Sequence, residues 1–302
     1  MYNVHLTHSL LCFEFVELTL LYVMQRLLLS LLALLAATLG KAQIDVFTAA
    51  DFEPGEPCDT ARYLVYYDLR MVEDTVNAPD IAVKETMRLE LGDHVSLFYS
   101  QMAYQADSAN AIVMKNGGNS YSGGGKISWR LYKNYPTEGK TALLERLGMD
   151  RFVCTEDYAA PAWRPVADSS AVILGYRCSL ATAAYKGRTW YAWYAEDIPL
   201  DAGPWKLGGL PGLILRAYDA PRHYVFDAVG MSEVATPTPI YYKGVKYEAV
   251  SRKQLEGIRR RYFADPVGYI TSNPNVTVQI RDEQGNEVAN PKNEPYNSIE
   301  VE

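Results

Sequence analysis

Carboxylates are the most plentiful catalytic material in this 302-residue chain. Glu196, Asp197 and Asp201 follow directly on an aromatic stretch, Trp190-Tyr191-Ala192-Trp193-Tyr194. Two acids beside a ring-lined groove can work on a sugar, one protonating the leaving group and the other activating water. Acids at strand ends also serve simply as solvated groups, and spacing along a chain does not fix the separation of the carboxyls. Nucleophile and metal chemistry find less material. His94 and His223 are the only histidines beyond the first 23 residues, and they lie far apart. There is no Cys-x-x-Cys pair, so no metal site is expected. Neither Cys154 nor Cys178 opens an expected helix, where its thiolate would be favoured. A phosphate loop needs Gly five residues before the Gly-Lys pair and Ser or Thr after it. In Gly118–Lys126 the first position is Ser120 and Ile127 follows the lysine. No Gly-x-Ser-x-Gly elbow exists either. Arg259-Arg260-Arg261 is either an anion patch or the solvated end of a helix, where the dipole favours cations. No catalytic residue and no cofactor is expected beyond the carboxylate alternative.

The elements that must position these residues are mostly strands. Tyr63, Val65, Tyr67, Leu69 and Met71 alternate with polar neighbours, as do Met87, Leu89 and Leu91 after them. Gly92-Asp93 turns the chain into a further strand over 94–100. Strands are also expected over 126–134, 139–147, 151–156, 171–184 and 188–196, with a hairpin over 213–229. The abundance of Tyr, 23 residues against 8 Phe, suits half-buried strands with a wet tip. Two helices are expected. One covers about 100–115, with Met102, Ala106, Ala109 and Val113 on one stripe. The other covers 251–264, with a Ser251/Gln254 capping box and a stop at Asp265-Pro266. The fold class is therefore mainly β: one large curved antiparallel sheet with two accessory helices.

The densest turn signal is Gly203-Pro204-Trp205-Lys206-Leu207-Gly208-Gly209-Leu210-Pro211-Gly212, followed by the apolar run Leu213-Ile214-Leu215. Gly reaches backbone angles closed to other residues and Pro fixes its own. The segment reads as a tight bend feeding a buried strand. The competing reading is an exposed bend, with Trp193, Tyr194, Trp205, Leu210 and Pro211 as a recognition surface.

Gly209-Leu210-Pro211-Gly212-Leu213-Ile214 spells the motif of the bacterial GLPGLI family, which this chain resembles. The likeness extends to Arg62–Asp68, Leu174-Gly175-Tyr176-Arg177-Cys178, Ala192-Trp193-Tyr194, Ile198-Pro199 and Gly203-Pro204-Trp205-Lys206, in order, from about residue 61 to 230. It implies an exported protein whose function is not established, and no catalytic residue to carry over.

Residues 1–42 are read as leader and signal peptide, with 1–23 as an over-extended start. Arg26, the Leu/Ala run 27–39 and Gly40-Lys41-Ala42 supply the charged, apolar and small-residue parts of a secretory signal. The mature chain then begins at Gln43. Residues 43–60 are expected as a flexible lead-in, 61–270 as a single β-rich domain and 271–302 as a mobile polar tail. Export permits disulfides. Cys154 and Cys178 share the apolar phase of their strands, so a bridge between them is favoured over two buried thiols, with Cys58 left unpaired.

A net charge of −7 gives no electrostatic footprint for nucleic acid. Beyond Leu215 no stretch is apolar enough to span a membrane, so the mature form is not expected to be membrane-spanning. The leading expectation is a periplasmic or outer-membrane-associated protein that binds an apolar ligand or an envelope protein without turnover. Two others compete with it. One is an exported hydrolase using Glu196, Asp197 and Asp201. The other is an accessory subunit of an outer-membrane transporter.

Overall fold

Period-two alternation builds the centre of the molecule. In a computed structural model, β1 (Glu56–Met71) buries Val65, Tyr67 and Leu69 on one face. It pairs with β2 (Val83–Leu91) on one side and with β11 (Tyr224–Tyr242) on the other. The structure describes Phe52, Glu53 and residues 55–119, 121–280 and 287–301. The expected signal peptide and the Gln43 start lie outside these residues. The described residues all fall in one compact unit, Ile44–Glu302.

From β1 a meander runs outward through β2, β3 (Ser96–Ser100), β4 (Arg130–Lys133), β5 (Lys140–Leu147) and β6 (Asp150–Asp157). A second meander comprises β7 (Arg164–Ile173), β8 (Tyr176–Tyr185), β9 (Arg188–Ala195), β10 (Leu213–Asp219) and β11. The two join where β1 pairs with β11. The result is an open twelve-stranded sheet, antiparallel except where the short β12 (Glu248–Ala249) pairs in parallel with β6. The protein is thus mainly β, as expected, with a mixed sheet in place of a purely antiparallel one.

Among the described residues, three α-helices accompany the sheet. In α1 (Gln101–Lys115) the Ser100 side chain caps the Ala103 N–H. In α2 (Arg252–Ala264) the Ser251/Gln254 capping box is formed, and Leu255, Ile258 and Tyr262 turn into the core. Asp265-Pro266 ends α2 but also begins α3 (Pro266–Thr271), because Asp265 caps the Gly268 N–H and Pro sits at the first position.

Three expectations are corrected. Residues 171–184 are two strands, not one. Leu174 and Gly175 both take positive φ (51° and 84°), and Ile173 pairs with Tyr176 across that two-residue turn. The lead-in is ordered from Glu56, which pairs with Tyr242 in β1–β11. At 293–301 the polar tail packs on the body: Ile299 and Glu300 are buried, and Asn293 and Glu294 hydrogen-bond to the end of α2. Composition misleads here because several of its polar groups, Asn297 and Glu300 among them, have specific partners on the body.

Candidate functional site

The site is the connection between β9 and β10. Its bend is closed by short-range backbone bonds, Leu207 N–H to Pro204 O (3.1 Å), Leu213 N–H to Ile198 O (3.0 Å) and Ile214 N–H to Ala202 O (3.0 Å). Two of its glycines are required for different reasons. Gly209 has φ of 82°, the left-handed region. At Gly212 a Cβ would collide with the Ala195 carbonyl, because the strand end passes against it. Beyond the bend, Leu213, Ile214 and Leu215 enter the core, and Tyr67 donates a hydrogen bond to Ile214 O (2.8 Å).

The bend is an internal element. Trp205 is 2% exposed, packs edge-on against Trp129 at 4.6 Å and takes positive φ. Tyr194 and Leu210 are buried and Trp193 is half-buried, while Pro211 and Gly209 reach the surface. A recognition surface made of Trp205, Leu210 and Pro211 together is therefore not present.

Beneath the bend lies a buried ionic cluster. The Lys206 side chain is 1% exposed and pairs with Glu156 of β6 and with Glu300 (2.7 Å). Arg252 of α2 reaches the same two carboxylates, at 2.8 Å and 3.1 Å. The Trp205 indole N–H donates to Glu300 at 3.1 Å. Burial alone would raise the Glu156 carboxyl. The Arg252 hydrogen bond and the Lys206 charge outweigh it and hold that carboxyl at about 2. Next to it, Arg259 pairs with Glu145 and Glu256.

On the opposite side of the bend, Lys133 of β4 is 6% exposed and donates to Leu207 O (3.2 Å). Burial pushes its ammonium down to about 8, against the pull of Asp201. A Cβ on Gly208 would lie 3.0 Å from Tyr158 Oη, 3.2 Å from Asp201 Oδ1 and 3.5 Å from Lys133 Nζ. Glycine is what lets these three polar groups pack against the bend. Lys133 and Lys206 carried no role in the sequence reading. For Lys133 the signal was present: it shares a strand face with Leu131, two residues earlier.

The three candidate carboxylates sit in two different local settings. Asp201 accepts the Gly209 N–H and so braces the bend. Glu196 and Asp197 are exposed on the turn after β9. The expected Cys154–Cys178 bridge is not formed. Both thiols are free, because β6 and β8 lie near opposite ends of the strand order rather than side by side. Burial raises both thiol pKa values, and raises Cys58 to about 11, which leaves little thiolate near neutral pH. Among the described residues, no group of acids, cysteines and histidines is placed to hold a metal ion, and no helix is long and apolar enough to cross a membrane.

Residues 179–216, which run from β8 through the bend into β10, match the family described as a protein of unknown function, Porph_ging. No curated protein matches the chain. Two crystal forms of PNGF-II overlap 66% of this chain, at 15% and 14% identity and TM-scores of 0.44 and 0.43. The matched region spans about a third of PNGF-II, 33% and 32% in the two forms.

Proposed function

We propose that this is an exported, envelope-associated protein of the GLPGLI type that binds a protein partner and turns over no substrate. The observation that carries the reading is the state of the bend. Its Lys206 and Asp201 side chains hold the chain together, and Trp205, Leu207 and Leu210 are buried in the core. Asp201 accepts the Gly209 N–H and so braces the bend. Trp205 and Leu210 have no free face to offer as walls of an apolar ligand pocket. That weighs against both the hydrolase and the small-ligand carrier, and leaves a macromolecular partner.

Export is part of the proposal and rests on the Arg26–Ala42 signal pattern. Intact-mass analysis of native protein should return a chain starting at Gln43. The non-catalytic reading is tested with purified protein and its Glu196→Gln, Asp197→Asn, Asp201→Asn triple variant, assayed on glycosides, esters and peptides. The expected result is no turnover by either. Turnover by the wild type that disappears in a folded triple variant would establish the hydrolase instead.

A further inference from the structure

Residues 293–301 add no strand to the sheet, yet every part of the segment from Tyr296 to Val301 is read by the body. The Tyr296 ring stacks on Phe263 of α2 at 4.6 Å and 8°. The main chain is read next. Tyr224 donates to Asn297 O at 2.5 Å, and Arg188 donates to Ser298 O and to Ile299 O (3.1 Å). Ile299 enters the apolar core cluster. The Glu300 carboxylate ends in the clamp of Lys206, Arg252 and the Trp205 indole N–H. Val301 N–H then bonds Lys186 O at 3.1 Å.

Main-chain bonds, one apolar anchor and one charge clamp are the means by which domains hold extended peptides. The clamp is costly to leave empty. Without Glu300, the buried Lys206 ammonium and the half-buried Arg252 guanidinium would share Glu156, and the Trp205 indole N–H would lose its acceptor. The segment also leaves the groove imperfectly filled. Arg252 Nη1 is buried without a hydrogen-bond partner, and the Glu256 carboxylate lies 3.9 Å from it.

We propose that the groove between the start of β9, the Trp205-Lys206 bend and α2 is a peptide-binding site, held in cis by residues 296–301 and fitted to an extended segment of a partner protein in which an aliphatic residue precedes a glutamate. This deepens the partner-binding reading and rests on it. On this account the Gly-Pro-Trp-Lys stretch ahead of the motif is the carboxylate-reading half of the groove. The cis segment occupies the site until a partner segment displaces it.

The test uses the full chain with a protease site placed over 287–291, cut after folding so that the C-terminal segment is held only by its contacts. The probe is a fluorescent peptide of residues 293–301. The cut protein should bind it saturably by exchange. The same peptide with Glu300→Gln should bind at least tenfold more weakly, and the uncut protein should bind the original peptide at least tenfold more weakly than the cut one. A cut protein that never exchanges its segment, that loses its cooperative melt when the segment leaves, or that binds both peptides equally would overturn the proposal. Each outcome is separable from the broader reading. A protein without turnover that fails to exchange the peptide keeps its partner-binding role and loses this groove. A protein that exchanges the peptide and also hydrolyses a substrate keeps the groove and loses the non-catalytic role.

Discussion

Two buried charges at the bend carry opposite pH signatures. Glu156 sits at about 2 in the folded protein, well below the usual Glu value, because Lys206 and Arg252 favour its charged form. A depressed carboxylate contributes stability that is present above the unfolded-state value, near 4.5, and is lost as pH falls toward 2. The contribution is on the order of 3 kcal/mol, so urea midpoints should fall steeply across that window, and Glu156→Gln should flatten the fall. Lys133 works the other way. Burial lowers its ammonium to about 8, so the unfolded chain binds more protons between pH 8 and 10.5, and stability should rise across that range. Lys133→Met removes this penalty and one hydrogen bond to Leu207 O. At pH 7 it should stabilise by roughly 1–3 kcal/mol, measured by urea melts, with the gain shrinking as pH rises from about 8 to 10.5. An acid limb unmoved by Glu156→Gln, or a Lys133→Met chain weaker than wild type at pH 7, would show that the burial of these groups is misjudged.

The elements divide cleanly by how local their signals are. β1 and β9 were legible because each buries one face and alternation reports it directly; in β2 the apolar phase of Met87, Leu89 and Leu91 was legible, although Arg88 and Glu90 on its other face are buried as well. α2 was legible through its cap and its Leu255, Ile258, Tyr262 stripe. The expected strand 171–184 joined only the last residues of β7 to β8 and missed 164–170, because the break is only Leu174-Gly175, whose Leu takes an angle that residue type does not advertise. The bend itself was legible as a bend, but its orientation was not. Trp205 read equally as a surface aromatic, and only the packed structure shows Trp129 and Glu300 around it. This reverses an otherwise natural ranking of variants. Gly212→Val forces a side chain into the Ala195 carbonyl, an overpacking cost on the order of 1–3 kcal/mol. Trp205→Ala empties a core site and strips a hydrogen bond from buried Glu300, at roughly 3–5 kcal/mol. Thermal melts of both variants should place Trp205→Ala lower.

At the scale of the whole molecule, two β meanders are joined at β1–β11, and the C-terminal segment ties α2, β9, β11 and the bend together. No local pattern could reveal that tie, since Lys206 and Glu300 meet across 93 intervening positions that composition reads as strand, helix and polar tail. The same non-locality defeated the Cys154–Cys178 bridge, because shared inward phase says nothing about strand order. The central claim is that the motif bend and the C-terminal segment form one clamped unit. The most direct measurement is a double-mutant cycle on that contact, using Lys206→Met, Glu300→Gln and the combined variant in urea unfolding at pH 7. The account predicts that each single change costs about 3 kcal/mol and that the two couple by at least ~1.5 kcal/mol. Single costs that simply add, with coupling near zero, would contradict it.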